Sequence, residues 1–221
     1  MAPGNASAPA IQPPHTLAEA AQRILQTAER LFAEYGYDGV SINMVAEQAG
    51  VSKGNIFHHF SSKETLYQTV LGTACAEART LVDELVNHDG HLAERLRHFA
   101  AAHIAHLDRH YHLTRLVQRE LLEGGVRRGK ELAEQLCGEN FSRLVDILRH
   151  AQNRGELRAE LDPALIAQLL VGTNIFFFQG RDMLRHFPDV DFADDPLRYS
   201  QMVVDVILTG IVPPPSRQGS S

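Results

Sequence analysis

The residues best suited to chemistry lie in one short segment, residues 40–63, which reads VSINMVAEQAGVSKGNIFHHFSSK. From Gln48 to Lys63 this segment contains no acidic residue, although the whole chain carries a formal net charge of −6. Lysine ammonium and imidazole N–H groups donate hydrogen bonds to phosphate oxygens. The pattern therefore predicts that any contact with a nucleic acid is confined to this patch.

A second group of reactive side chains is a cluster of histidines, because seven of the 12 in the chain lie between positions 88 and 112. At 100° per residue, His103, His106 and His110 share one helix face with apolar residues. Three imidazoles on one face could bind Zn²⁺, hydrogen-bond an organic effector, or pack as partnered core side chains. All three interpretations remain open at this point.

Other functional classes find little support in the sequence. It contains no HExxH or Glu-x-x-His motif, so we predict neither catalysis nor a cofactor. Cys75 and Cys137 are too far apart for a C-x-x-C site. No continuous apolar run approaches the ~18 residues that cross a bilayer, and the N-terminus lacks the pattern of a secretory signal. We expect a cytoplasmic protein with no membrane partner.

Apolar residues recur at helical spacing from position 16 onward, which predicts an all-α protein. We expect an N-terminal three-helix DNA-binding domain at 15–62 and a C-terminal helical effector-binding and dimerisation domain at 63–212. Residues 1–14 and 213–221 are predicted to be disordered tails. Gly124-Gly125 is predicted to end a helix, whereas Asp162-Pro163 and Asp195-Pro196 are typical helix starts.

Within residues 40–63 the spacing predicts a helix-turn-helix. Ser41 can cap a first helix, Gly50 supplies the turn, and Ser52 can cap a second helix. Ile56 and Phe60 are four residues apart and should face inward. The remaining side chains of the second helix would meet a groove: Lys53, Gly54, Asn55, Phe57, His58 and His59.

The segment 163–186 is apolar on more than one side, so more than one side of this helix must be buried. Together with the last helix it could form half of an intermolecular four-helix bundle. The residues predicted to form this dimer interface are Leu169, Phe176, Phe177, Met202, Val203 and Val206.

A small-molecule effector would need a few polar groups in an otherwise apolar pocket. The candidates for this site are the histidine face and neighbouring residues of the helical domain, namely His103, His106, His110, Arg115, Arg119, Asn174 and Phe177.

The stretch AGVSKGNIFHHFSSKETLY, preceded by FAEYGYDG, resembles the signature of the TetR family of transcription regulators. The resemblance covers roughly residues 20–70. A second, less specific similarity is GELRAELDP at 155–163, which is similar to the loop before the dimer-forming helices of that family.

The resemblance implies a dimer that places one recognition helix per subunit in successive major grooves. It also implies that Ser41 and Lys63 hold phosphates at helix N-termini. The cap residue Ser52 and the exposed residues of the second helix would face bases or backbone, namely Lys53, Gly54, Asn55, Phe57 and His58. The family commonly has tyrosine where this chain has Phe57, so a hydroxyl contact to phosphate is replaced by an apolar group.

The function predicted from these features is a homodimeric repressor that binds a palindromic operator and is released by a small, mostly apolar effector. Two alternatives stay open. The chain could be a metal-responsive regulator that uses His103, His106 and His110, or an architectural DNA-binding protein without an effector.

Overall fold

The structure is a computed structural model that describes residues 14–132 and 138–211, without the side chains of residues 14–18, 74–75 and 123–132. The predicted tails, apart from Pro14, lie outside the described residues, as do Cys137 and the side chain of Cys75. The described part contains helices and no strand, which confirms the all-α prediction. The helices are α1 (Pro14–Gly39), α2 (Ile42–Ala49), α3 (Lys53–His59), α4 (Lys63–Asn87), α5 (Leu92–Arg109), α6 (Tyr111–Leu132), α7 (Gly138–Asn153), α8 (Pro163–Leu184) and α9 (Pro196–Ile211).

The chain divides into two compact units, the first ending at Val70 and the second beginning at Leu71. The boundary expected from the sequence was at 62/63, before α4. The first turns of α4 instead pack with the N-terminal unit, because Leu66 and Val70 are buried and the Tyr67 ring lies 4.9 Å from that of Phe32.

The first unit is built on the inner faces of α1, α2 and α3. Helix α1 is interrupted at Gly36, which has a positive φ of 72°, before a further short turn to Gly39. A residue with a side chain would be strained there. The buried apolar residues of α1 include Ile24, Ala28, Leu31 and Phe32.

The second unit has one large apolar core to which α4, α5, α7, α8 and α9 contribute. Helix α5 lies at its centre and packs against both α8 and α9. Leu96 of α5 and Leu148 of α7 have no exposed surface. Because α5 is surrounded in this way, the histidines on it are placed by several helices at once.

The sequence correctly predicted where two helices begin and wrongly predicted where one helix ends. The Asp162 side chain accepts a hydrogen bond from Ala164 N at 2.7 Å, and Asp195 accepts one from Arg198 N at 3.0 Å. In contrast, α6 continues through Gly124-Gly125 to Leu132. Glycine in a helix interior costs only about 1 kcal/mol, so it need not end a helix.

Candidate nucleic-acid interface and effector cavity

Two serine caps fix the geometry of the α2–α3 hairpin. Ser41 Oγ accepts a hydrogen bond from Met44 N at 3.2 Å, and Ser52 Oγ accepts one from Asn55 N at 3.1 Å. Gly50 ends α2 in the left-handed conformation, with φ 65° and ψ 38°. These local contacts orient α3 on α2 as a helix-turn-helix requires.

Helix α3 has one buried face and one exposed face. Ile56 is fully buried and Phe60, just after the helix, is nearly so, as the sequence predicted. The opposite face exposes Ser52, Lys53, Gly54, Phe57 and His58 to solvent. Lys53 Nζ lies 5.9 Å from the centre of the Phe57 ring, so a cation and an apolar ring stand side by side on this surface.

Asn55 and His59 are less available than their neighbours. Both are half-buried, and Asn55 Oδ1 and His59 Nε2 have no exposed surface and no hydrogen-bond partner among the described residues. In this side-chain conformation Asn55 cannot accept a hydrogen bond from a base through its oxygen. A contact of that kind would require the side chain to rotate.

Lys63 lies at the first position of α4, where the first backbone N–H groups have no carbonyl partner within the helix. Its ammonium group lies 4.1 Å from the centre of the Tyr37 ring. This cation–π contact holds the charge in place at the start of the helix.

The second unit contains a cavity of about 190 Å³ between α4, α5, α6, α7 and α8. Its wall is apolar except for a few side chains: His103, His106, His110, Thr114, Gln118 and Asn140. The three histidines singled out from the sequence therefore line one cavity. Such a space with few polar groups suits a mostly apolar ligand.

His103 is the deepest of these histidines. Asn174 Nδ2 donates to Ala100 O at 3.0 Å and lies 3.3 Å from His103 Nδ1. An amide nitrogen is a donor only, so Nδ1 accepts and the His103 proton lies on Nε2. Burial, and to a lesser extent the charge of His106, lower the pKa of His103 from 6.5 to about 4, which keeps the ring neutral.

His106 and His110 lie one turn apart at the end of α5, with ring centres 4.6 Å apart. Burial is the largest cause that lowers the pKa of His106 to about 4, followed by the charges of His110 and Arg109. Glu77 of α4 approaches the same point, and its Oε2 lies 3.1 Å from His110 Nδ1. Sequence reasoning missed Glu77 because it stands on a different helix.

Four residues predicted for the effector site do not line this cavity. Asn174 lies behind His103, and Phe177 stacks on Tyr199 at 4.0 Å between ring centres. Arg115 is exposed beside Tyr111. Arg119 is half-buried and is not among the lining residues. A residue's position along α6 or α8 does not by itself determine whether its side chain points into the cavity. These four side chains therefore face other surroundings.

Helices α8 and α9 expose a set of large apolar side chains, which we call the α8–α9 face. Its members are Leu165, Leu169, Phe176, Met202 and Val206. Phe176 is 73% exposed and Val206 76%, which is unusual for side chains of this type. Four of these five, all except Leu165, are among the residues predicted for the dimer interface.

Phe177 was wrongly assigned to the dimer interface. It is only 2% exposed and packs inside its own protomer with Tyr199 and Phe178, so no partner can touch it. Val203 is half-buried and lies at the margin of the α8–α9 face. One position along a helix turns a side chain by 100°, which is enough to move it from surface to core.

By length and composition, α8 is the one helix in the described part of the chain that could cross a membrane, although its apolar residues form no continuous run of ~18. One third of its most apolar window is buried within the protein. It contains the buried polar residue Asn174, hydrogen-bonded to α5. A helix of a buried core meets the same criterion, so this property is weak evidence for a membrane.

Two family models match the chain. Residues 24–70 match the model of bacterial regulatory proteins, tetR family, and residues 93–207 match the model of the Tetracyclin repressor-like C-terminal domain. The second match alone covers more than half of the chain, and the first contains α2, α3 and the start of α4.

Among curated proteins, an 89-residue segment is 42% identical to the HTH-type transcriptional repressor AcnR of Corynebacterium diphtheriae. That segment is 40% of this chain and 42% of the relative, so the match spans less than half of the repressor. The Fatty acid metabolism regulator protein of Bacillus subtilis is 26% identical over 152 residues, which cover 68% of this chain and 77% of that protein.

Among solved structures, the transcriptional regulator FadR from Bacillus subtilis in complex with stearoyl-CoA superposes with a TM-score of 0.70. The alignment covers 86% of this chain and 98% of that chain, at 23% identity. At that identity the similarity establishes a shared fold.

Proposed function

The chain belongs to the TetR family of bacterial regulatory proteins, and from this premise we propose that it is a homodimeric, DNA-binding transcription repressor. It binds an inverted-repeat operator and is released by a small, mostly apolar effector. The observation that carries the proposal is the exposed, acid-free face of α3, the second helix of a helix-turn-helix in which Ser41 caps α2 and Ser52 caps α3.

The charge distribution supports DNA binding through this face. Lys53 and His58 are exposed on α3, and Lys63 stands at the start of α4. A few cations near the groove are sufficient to neutralise phosphates, whatever the net charge of the rest of the chain. Phe57 offers an apolar contact that fits the methyl group of thymine.

The α8–α9 face supports dimerisation, in which a second copy of the chain covers this face. Large apolar side chains on adjacent helices leave water when two copies pair across a two-fold axis. Two curated relatives, matched over 89 and 51 residues, are transcriptional repressors by name.

The cavity supports an effector that is mostly apolar. Its walls are formed by leucine, valine, isoleucine and phenylalanine side chains, with His103, His106 and His110 on one side. A relative with 26% identity is named as a fatty acid metabolism regulator, and a structure of the same fold is described as holding stearoyl-CoA. We therefore place fatty-acyl compounds first among the effectors to be tested.

DNA binding is tested by selecting fragments from random DNA with the purified chain, followed by footprinting. We expect a protected inverted repeat with half-sites about one helical turn, or a small multiple, apart. Competition with unrelated DNA should show at least ~10³-fold preference for the selected site. Protection without two-fold symmetry, or binding without preference, would favour an architectural protein instead.

Dimerisation is tested with a matched pair of leucine variants. Leu169→Asp introduces a charge on the α8–α9 face, whereas Leu122→Asp does so at an exposed leucine of α6. We expect sedimentation at low micromolar concentration to show monomers for Leu169→Asp and dimers for Leu122→Asp, with operator binding lost in parallel. If Leu169→Asp remains dimeric and folded, the interface lies elsewhere; vesicle binding that Leu169→Asp abolishes would assign the face to lipid.

A further inference from the structure

The strongest further feature is a cluster of three ligand-type side chains at the edge of the effector cavity, two of which line that cavity. Glu77, His106 and His110 each bring one ligand atom to within 4.8 Å of the others. Glu77 comes from α4, His106 from the last turn of α5, and His110 caps the end of α5. All three residues are half-buried, with side-chain exposures of 36% for Glu77 and 29% for His110.

The buried oxygen of the Glu77 carboxylate has an imidazole beside it but accepts no hydrogen bond from the described residues. This oxygen is Oε2, and His110 Nδ1 lies 3.1 Å away from it without the alignment of a hydrogen bond. A buried carboxylate oxygen without a partner costs free energy unless something else compensates it. A cation at this point would do so.

We propose that Glu77, His106 and His110 bind a divalent transition-metal ion of the zinc class. Two imidazole nitrogens and one carboxylate oxygen are a donor set found in zinc sites with three protein ligands. Hard cations such as Mg²⁺ and Ca²⁺ prefer oxygen ligands, so the two histidines select against them.

The fourth coordination position would face the cavity. His106 and His110 both line that space, so a metal between them is reached from within it. A water molecule or an oxygen atom of a ligand could occupy the open position. The site is independent of the proposed repressor function, because metal binding does not require that the chain bind DNA.

The observed distances are compatible with closure around an ion. Ligand atoms in a tetrahedral zinc site are about 3.4 Å apart, given bonds of about 2.0–2.2 Å. The 4.8 Å limit of the present cluster thus calls for an inward shift of about 1 Å. Glu77 Oε2 already lies 3.1 Å from His110 Nδ1, so rotation about the side-chain bonds of the three residues, rather than movement of the helices, would close the remaining distances.

His103 does not belong to this metal site, although it is on the same face of α5. Its Nδ1 already faces the Asn174 amide, and its ring stacks on Phe99 at 5.9 Å between ring centres. The ligand set therefore differs from the three-histidine set considered from the sequence, with Glu77 in place of His103.

The experiment measures binding of Zn²⁺ alone to the full chain by calorimetry, with Co²⁺ absorption as a report on coordination. The variants Glu77→Gln and His110→Gln keep the size of the side chain but change its ligand atom. His98→Gln is the matched control, because His98 forms a separate histidine pair with His88, with ring centres 4.8 Å apart.

We expect one Zn²⁺ per chain, weakened at least ~100-fold in both cluster variants and unchanged in the control. Loss of a residue that merely supports a ligand already costs about 10–100-fold. Zn²⁺ should also raise the melting temperature of the parent and of His98→Gln, but not that of Glu77→Gln. Circular dichroism checks that each variant is folded, and Glu77→Asp, which keeps the carboxylate, should retain part of the affinity.

Equal Zn²⁺ affinity in the parent and Glu77→Gln would overturn the proposal, as would weakening by His98→Gln alone. Failure to find an operator would leave these measurements untouched, since they contain no DNA. The two proposals can therefore fail separately.

Discussion

The α2–α3 hairpin and the cavity of the second unit differ in how far apart in sequence their working residues lie. The hairpin is complete within 41–63, and its orientation is set by caps that join residues three positions apart. The cavity draws its wall from five helices between Ala78 and Ile175. A site made by neighbours in sequence can be read from spacing, whereas one made by packing depends on the whole unit.

Helix α8 is the sharpest test of this difference, because adjacent phenylalanines have opposite environments. We expect Phe177→Ala to lower the free energy of unfolding by about 3–5 kcal/mol, since it leaves a cavity against Tyr199. Phe176→Ala should cost less than about 0.5 kcal/mol in the protomer and act on dimerisation instead. Urea unfolding combined with sedimentation separates the two effects; similar stability losses in both variants would contradict the burial pattern.

The second unit can also be tested through the pH dependence of its unfolding free energy, to which His103 contributes. The pKa of His103 is lowered from 6.5 to about 4, so the folded state resists protonation. Its stabilising contribution is fully present above pH 6.5 and is lost as the pH falls toward 4. Between pH 6.5 and 5 the parent should lose about 2 kcal/mol more of its unfolding free energy than His103→Leu does.

The control for this prediction is His112→Leu, at an exposed histidine just beyond α5. It should keep the full acid response of the parent. The replacement of His103 also removes the partner of Asn174, so the comparison uses the change between two pH values rather than the stability at one. An unchanged pH response in His103→Leu would show that the ring is not held neutral.

In the α2–α3 hairpin, the expected effects on stability are smaller and confined to one helix. Ser52→Ala removes the side-chain acceptor for Asn55 N and should cost about 1 kcal/mol of stability. Operator affinity should fall as well, because α3 would fray at its N-terminal end. Ser142→Ala, at an exposed position inside α7, serves as the control and should not destabilise the chain.

The smallest expected effect concerns the residue that departs from the common family pattern. Phe57→Tyr adds a hydroxyl to a ring that is already exposed on α3, without disturbing the core. If that hydroxyl reaches a phosphate, binding should tighten by about 0.5–1.5 kcal/mol on specific and unrelated DNA alike. Gel-shift titrations on both kinds of DNA measure this. A gain on one sequence alone would indicate that position 57 faces a base.

The charge of Lys53 on the same helix can be tested through the salt dependence of DNA affinity. Lys53→Ala should reduce the slope of log affinity against log salt concentration by about 1, because one phosphate contact is removed. Arg149→Ala, exposed on α7 in the second unit, should leave that slope unchanged. The same slope in both variants would place Lys53 outside the DNA contact.

Errors of the sequence-based predictions fall where tertiary contacts compete with local signals. Gly124-Gly125 was expected to end a helix, but α6 runs through it to Leu132. The domain boundary was placed before α4, but Leu66, Tyr67 and Val70 complete the core of the first unit. A glycine penalty of about 1 kcal/mol is too small to end a helix by itself, and the burial of the first turns of α4 cannot be read from propensity.

By itself the sequence determined the helical class, the serine caps and turn of the α2–α3 hairpin, and the helix starts at Pro163 and Pro196. These features depend on hydrogen bonds and dihedral preferences within a few residues, so spacing is enough to specify them. Tertiary structure alone decided which face of α8 is buried, and that Glu77 rather than His103 stands with His106 and His110. Side chains from different helices meet according to helix rotation and packing, which no single stretch of sequence encodes.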